Sequence, residues 1–168
     1  RGAVVICNHL SYLDPLLLVS VLEQPLTIVK PAWFRFPVFG WILRAAGYLA
    51  PPASRPDADA LDRFRDLPAW LAAGGVLFVF PEGRRSRDGR VGEFWPGAFK
   101  LARRSGAPLT LLRLTGMDAV FPAGHGLLQA SRRSVVSLEV IGRIEAAEVT
   151  AAPTVGALSE RAGCVYLG

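Results

Sequence analysis

Apolar residues come along this chain in short blocks, each closed by a polar loop, a glycine or a proline. Residues 3–7 (Ala-Val-Val-Ile-Cys) are an unbroken apolar run, the pattern of a strand buried on both faces. Residues 8–14 form a polar loop. Asp14-Pro15 then opens an apolar stretch to Leu22, which predicts a helix with Asp14 as N-cap and Pro15 at its first position. A second strand is expected over 26–30, stopped by Pro31. Between Trp33 and Leu49, aromatic and aliphatic residues alternate with Arg35 and Arg44, and Pro37 and Gly40 argue against a long helix. Residues 51–59 read as a proline-rich loop. A helix over 58–73 ends at Gly74-Gly75, a glycine stop. Residues 76–80 are the clearest strand, and a loop dense in charge and glycine follows over 81–93. A helix over 97–105 and strands over 108–114 and 135–141 complete the pattern.

Strands alternating with helices predict an α/β fold, with a central mixed, largely parallel sheet flanked by helices. No internal repeat or linker marks a second domain, so residues 1–168 are read as one. A chain of 168 residues buries about 70% of its unfolded surface, enough for a core without staples. The composition is 51% hydrophobic and 20% charged, which excludes a disordered tail. Mean hydropathy is positive, yet no apolar run reaches the roughly 18 residues that cross a bilayer; a partly greasy surface is expected. Arg1-Gly2 leads straight into the first strand without the charged start of a signal peptide. Without an initiator Met, the chain reads as trimmed from a longer one.

Two cysteines, Cys7 and Cys164, are too few for a disulfide framework and point to a reducing compartment. The net charge of +5 is almost wholly arginine, since only Lys30 and Lys100 are lysines. Arginine's planar fork suits phosphate and carboxylate; by charge alone, anionic lipid, nucleotide phosphate, an acidic carrier protein and nucleic acid fit equally.

Two polar segments carry the chemistry. Asn8-His9-Leu10-Ser11-Tyr12-Leu13-Asp14 and Pro81-Glu82-Gly83-Arg84-Arg85-Ser86-Arg87 each follow a predicted strand. Ligands of open α/β sheets bind beyond the carboxyl ends of strands. If the two strands are parallel, an imidazole, carboxylates and guanidinium groups share one cleft. Imidazole, with a free pKa of about 6.5, keeps a vacant nitrogen at neutral pH. A carboxylate on the other nitrogen fixes the tautomer. His9 and Asp14 can thus deprotonate an alcohol, while arginine holds an anionic substrate. Ser11 lacks a nucleophile elbow and reads as a loop-bonding hydroxyl. Cys7 ends a buried strand, where a thiol behaves as a small hydrophobe. Cys7, His9, His125 and Cys164 have no paired metal-ligand spacing, and His125 reads as a turn residue.

Asn8-His9-x-Ser11-x-x-Asp14, together with Phe80-Pro81-Glu82-Gly83-x-Arg85-Ser86, resembles the glycerophospholipid (PlsC-like) acyltransferase family. The resemblance runs from the first strand to about Gly142 and includes Pro37-x-x-Gly40-Trp41 and Gly106-Ala107-Pro108. It implies that His9 activates an acceptor hydroxyl and that Asp14 orients His9. It implies that Glu82, Gly83 and Arg85 bind the acceptor, Arg85 at its phosphate, with Lys30 and Arg87 assisting. It implies direct attack on the thioester of acyl-CoA or acyl carrier protein, a lysophospholipid-like acceptor, and no metal or bound organic cofactor. The working place would be the cytoplasmic face of a membrane, with residues 33–49 suited to rest in the headgroups and no nucleic acid expected as partner. Three departures blur the acceptor: Arg55 is displaced from the usual arginine place, Arg84 replaces a small hydroxyl residue, and no second proline follows Pro108. A thioester or lipid hydrolase with the same pair, a CoA-independent transacylase and a non-catalytic anionic-lipid binder are the competing readings.

Overall fold

A computed structural model describes residues 2–50, 58–86, 88–121 and 135–167. Residues 51–57 of the loop expected over 51–59, with Arg55, the turn around His125, and Arg87 lie outside the described residues.

The unbroken apolar block at the start becomes β1 (Ala3–Cys7), the middle strand of a five-stranded sheet. The sheet order is β2 (Pro25–Thr27), β3 (Val76–Val79), β1, β4 (Leu109–Thr115) and β5 (Ser137–Ile144). The first four strands are parallel and β5 runs antiparallel to β4, so the sheet is mixed and largely parallel, as expected. A central strand must be covered on both faces, and the alternation of β1 meets that need. Val4 and Ile6 enter one core with Leu67 and Leu71 of helix α3 (Ala58–Ala72), and with Phe99 and Ala102 of α4 (Gly97–Ser105). Helices α6 (Ala146–Ala151) and α7 (Val155–Leu167) close the same face through Val149, Leu158 and Ala162. Val5 and Cys7 enter the opposite core with Leu18 of α1 (Asp14–Val21) and Met117 of the short α5 (Met117–Val120).

Four expectations need correction. The second strand stops at Thr27 rather than residue 30, and beyond it only an isolated bridge joins Ile28 to Leu49. The last strand runs over Ser137–Ile144 rather than 135–141. Residues 33–49 hold no long helix, as expected, and Pro37 separates a 3-10 turn (Pro31–Arg35) from the nine-residue helix α2 (Pro37–Ala45), but Gly40 lies inside that helix rather than breaking it. Gly40 is there because α2 lies on the 3-10 turn, and a Cβ at this place would run into the carbonyl oxygen of Phe34. Finally, the N-cap of α1 is Leu13, and Asp14 is the first helical residue, with no side-chain cap bond. The carboxylate of Asp14 turns back onto the preceding loop instead.

Candidate active site

β1 and β3 are parallel neighbours with Ile6 opposite Val79, so the loops that leave them open on one edge of the sheet. Two side chains join these loops to the scaffold. The Asn8 amide donates to the Leu114 carbonyl at 2.9 Å and accepts from the Leu114 N–H at 2.7 Å. It thereby ties the end of β1 to the end of β4. Glu82 is 5% exposed, and both of its oxygens are engaged. Oε1 accepts from the His9 N–H at 3.1 Å, and Oε2 accepts from the Gly92 N–H at 2.9 Å. The Ser86 N–H donates to the His9 carbonyl at 2.7 Å. His9 is therefore held at both backbone groups by the second loop.

The imidazole has its own supports. Nδ1 lies 2.8 Å from Oδ2 of Asp14, a residue with no solvent exposure. The same oxygen accepts the Leu10 N–H at 2.6 Å and the Ser11 N–H at 2.8 Å. Three bonds converge on Oδ2, while Oδ1 is buried without a hydrogen-bond partner among the described residues. A carboxylate bound to Nδ1 selects the tautomer with that nitrogen protonated, which leaves Nε2 as the basic atom. The ring stacks on Phe80, with centroids 4.1 Å apart, and its side chain stays 16% exposed. The base is oriented on three sides and still reachable.

Arg85 lies with its guanidinium carbon 3.2 Å from the centroid of the Tyr12 ring, a cation–π arrangement that keeps the head in place. Its Nη1 is buried without a hydrogen-bond partner among the described residues, a donor left for an anionic oxygen. Gly83 takes a left-handed backbone (φ 65) that favours glycine, and the Trp95 indole packs over it. Lys30 is exposed at the start of the 3-10 turn. That turn meets the site through Trp33, whose ring lies edge-on to Tyr12 at 6.4 Å. Ser11 donates to the Phe121 carbonyl at 2.8 Å and accepts the Leu13 N–H at 3.3 Å, so it fastens the loop. Cys7 is buried, and burial together with the charges of Asp14 and Glu82 pushes its thiol far up from its ordinary range. It stays a neutral thiol.

Sequence reasoning thus brought His9, Asp14, Glu82, Gly83 and Arg85 to one sheet edge. It missed Asn8, Tyr12 and Phe80 as supports, because each acts through a contact made only in the folded chain. Asn8 and Phe80 had a signal, as the opening residues of the two motifs; Tyr12 falls on a variable position of the first motif and had none.

Comparison with known proteins bears on this geometry. The acyltransferase family model matches residues 1–112. The chain is 37% identical over 130 residues to a chloroplastic 1-acyl-sn-glycerol-3-phosphate acyltransferase of Brassica napus, covering 74% of this chain and 36% of that protein. It is 35% identical over 139 residues to the corresponding Arabidopsis thaliana protein, covering 80% and 38%. The chain therefore spans well under half the length of these relatives. In fold it is similar to the 1-acyl-sn-glycerophosphate acyltransferase PlsC of Thermotoga maritima, with a TM-score of 0.72 at 22% identity, covering 99% of this chain and 64% of that one.

Proposed function

The chain belongs to the acyltransferase family, and on that premise we propose that it transfers a fatty acyl group from a thioester to the hydroxyl of a lysophospholipid, of the 1-acylglycerol-3-phosphate type. The observation that carries this reading is the His9–Asp14 pair at 2.8 Å, with the carboxylate fully buried. The acceptor hydroxyl gives its proton to Nε2 of His9 as its oxygen attacks the thioester carbonyl. The C–S bond then breaks, and the proton passes from Nε2 to the departing thiolate of CoA or acyl carrier protein. Asp14 stabilises the imidazolium between the two transfers, as carboxylate–imidazole pairs do. The donor Nη1 of Arg85 is offered to the acceptor phosphate, and we assign Arg87 and Lys30 the same role from the family resemblance alone. Glu82 acts by a different route from acceptor binding. With both oxygens on backbone N–H groups, it holds His9 against the second loop.

We place the reaction at the cytoplasmic face of a membrane. The exposed free thiol of Cys164 suits a reducing side, and the acceptor is a lipid. The test is transfer of labelled acyl groups from acyl-CoA, and in parallel from acyl carrier protein, to a panel of lysolipids. His9-dependent transfer to lysophosphatidic acid is expected. Thioester loss without an acylated lipid would assign the chain to hydrolysis instead.

A further inference from the structure

Helix α2 carries its apolar stripe on the wrong side for a core helix. Val38, Trp41 and Ile42 share one face through i, i+3, i+4 spacing. That face looks into solvent: Val38 is 73% exposed and Trp41 67%. Among the described residues of α2, the buried ones are Gly40 and Leu43, and a Cβ on Gly40 would strike the Phe34 backbone. Arg44 donates to the Phe34 carbonyl at 2.9 Å and locks the helix to the 3-10 turn in this orientation. The turn extends the apolar surface with Phe36, whose ring packs on Trp33 at 5.7 Å. Trp33 in turn reaches Tyr12, which carries Arg85. Charge has a one-sided distribution here: residues 24–56 contain no Asp or Glu, while Lys30, Arg35 and Arg44 are present and exposed.

We propose that this face, the 3-10 turn with α2, docks the chain on an anionic lipid bilayer and sets the His9–Arg85 cleft at the membrane surface. The inference rests on the reading of the acceptor as a lipid, and adds which surface meets the bilayer. Tryptophan and phenylalanine among arginines and a lysine match the interfacial layer, where rings enter the headgroup level and cations pair with anionic lipid. A second copy of the chain would bring a segment with cations and no Asp or Glu against itself, which disfavours the same face as a dimer contact. The chain of rings from Phe36 through Trp33 to Tyr12 makes the docking face continuous with Arg85, whose free N–H is offered to the acceptor phosphate.

The experiment measures binding of the whole chain to vesicles by co-sedimentation, without substrate. Phosphatidylcholine mixed with phosphatidylglycerol is compared with phosphatidylcholine alone. Binding to the anionic vesicles with a blue-shifted tryptophan emission is expected. Trp41→Ala and Val38→Ser together weaken it by roughly tenfold or more. Arg35→Glu weakens binding to anionic vesicles by a similar factor, with little change on phosphatidylcholine. These residues lie outside the catalytic machinery, so transfer to a short-chain, water-soluble acceptor stays unchanged while transfer to vesicle-embedded acceptor falls. Circular dichroism confirms folding, and the charge reversal stands as a second reading if the apolar pair misfolds. Failure of the unsubstituted chain to bind vesicles, or equal binding by the variants, overturns the proposal. So does a dimer that the apolar pair dissolves. Vesicle binding by a chain that transfers no acyl group would leave the docking face standing and remove the enzymatic reading.

Discussion

One oxygen of Asp14 accepts three hydrogen bonds while the other accepts none from the described residues. Asparagine at this position can keep its carbonyl oxygen on the three donors and place its amide where Oδ1 stood. Asp14→Asn is therefore expected to fold, with a loss of about 1–3 kcal/mol for the buried, unpaired amide. What it removes is the charge that stabilises the imidazolium, so acyl transfer should fall by about 10²–10⁴-fold. Parallel thermal melts and kinetics check both parts. Glu82 gives a contrasting case. Glutamine there leaves either the His9 or the Gly92 N–H facing an amide donor. Glu82→Gln should lower kcat and melting temperature while leaving the KM for the acceptor nearly unchanged. A raised KM at full kcat would mean that Glu82 touches substrate. At this scale the sequence displayed His9, Asp14 and Arg85 through their motifs, but not the contacts that hold them. Asn8 and Leu114 are 106 positions apart, and His9 and Glu82 are 73 apart. No local pattern reports such pairs.

Among the elements, β1 and β3 were plain in the sequence because strands buried on both faces leave continuous apolar runs, and β4 showed through its leucines despite Thr110 and Arg113. α2 was hidden by residues that usually stop helices. Pro37 instead opens it, and Gly40 is set by the crossing of the 3-10 turn. Gly40→Ala should push the turn away and move Trp33 off Tyr12. A changed near-ultraviolet circular dichroism signal with unchanged far-ultraviolet helix content is the expected result. α6 and α7 were missed. The capping box that starts α6 uses Glu145 with Glu148 rather than the usual hydroxyl or Asx residue, and α7 carries Gly156 and Gly163. Yet α7 matters to the site's floor. The Tyr166 hydroxyl lies 2.6 Å from the Leu112 carbonyl and 3.0 Å from that of Ile6, which fastens α7 beneath β1 and β4. Burial, then the nearby Cys7 and Glu82, raises its pKa, and burial likewise raises that of Cys7. Unfolded, Cys7 titrates from its ordinary value of 9.0 and Tyr166 from 10.0. Above about pH 9 the unfolded chain releases protons that the folded chain retains, so stability falls as pH rises. Urea midpoints between pH 8 and 10.5 should decline, and less steeply in Tyr166→Phe.

For the whole molecule, parallel β1 and β3 send two distant segments to one edge, and the sheet hides what supports them. The α3–α4–α6–α7 face is the deep core that holds the sheet in place. The α1–α5 face positions the loop that carries His9. The expected mixed, largely parallel sheet was legible from the alternation of elements, and the single α/β layer arrangement follows from it. The order in which the strands lie, β2-β3-β1-β4-β5, was not, because pairing depends on crossovers that periodicity cannot encode. This order places His9 beside Glu82 and Arg85. The most direct test of that arrangement is the initial rate of acyl transfer from labelled acyl-CoA to lysophosphatidic acid, compared with His9→Ala. The account predicts transfer that the substitution cuts by about 10²–10⁴-fold, with the folded state intact by circular dichroism. Transfer that survives in folded His9→Ala at the original rate would contradict it.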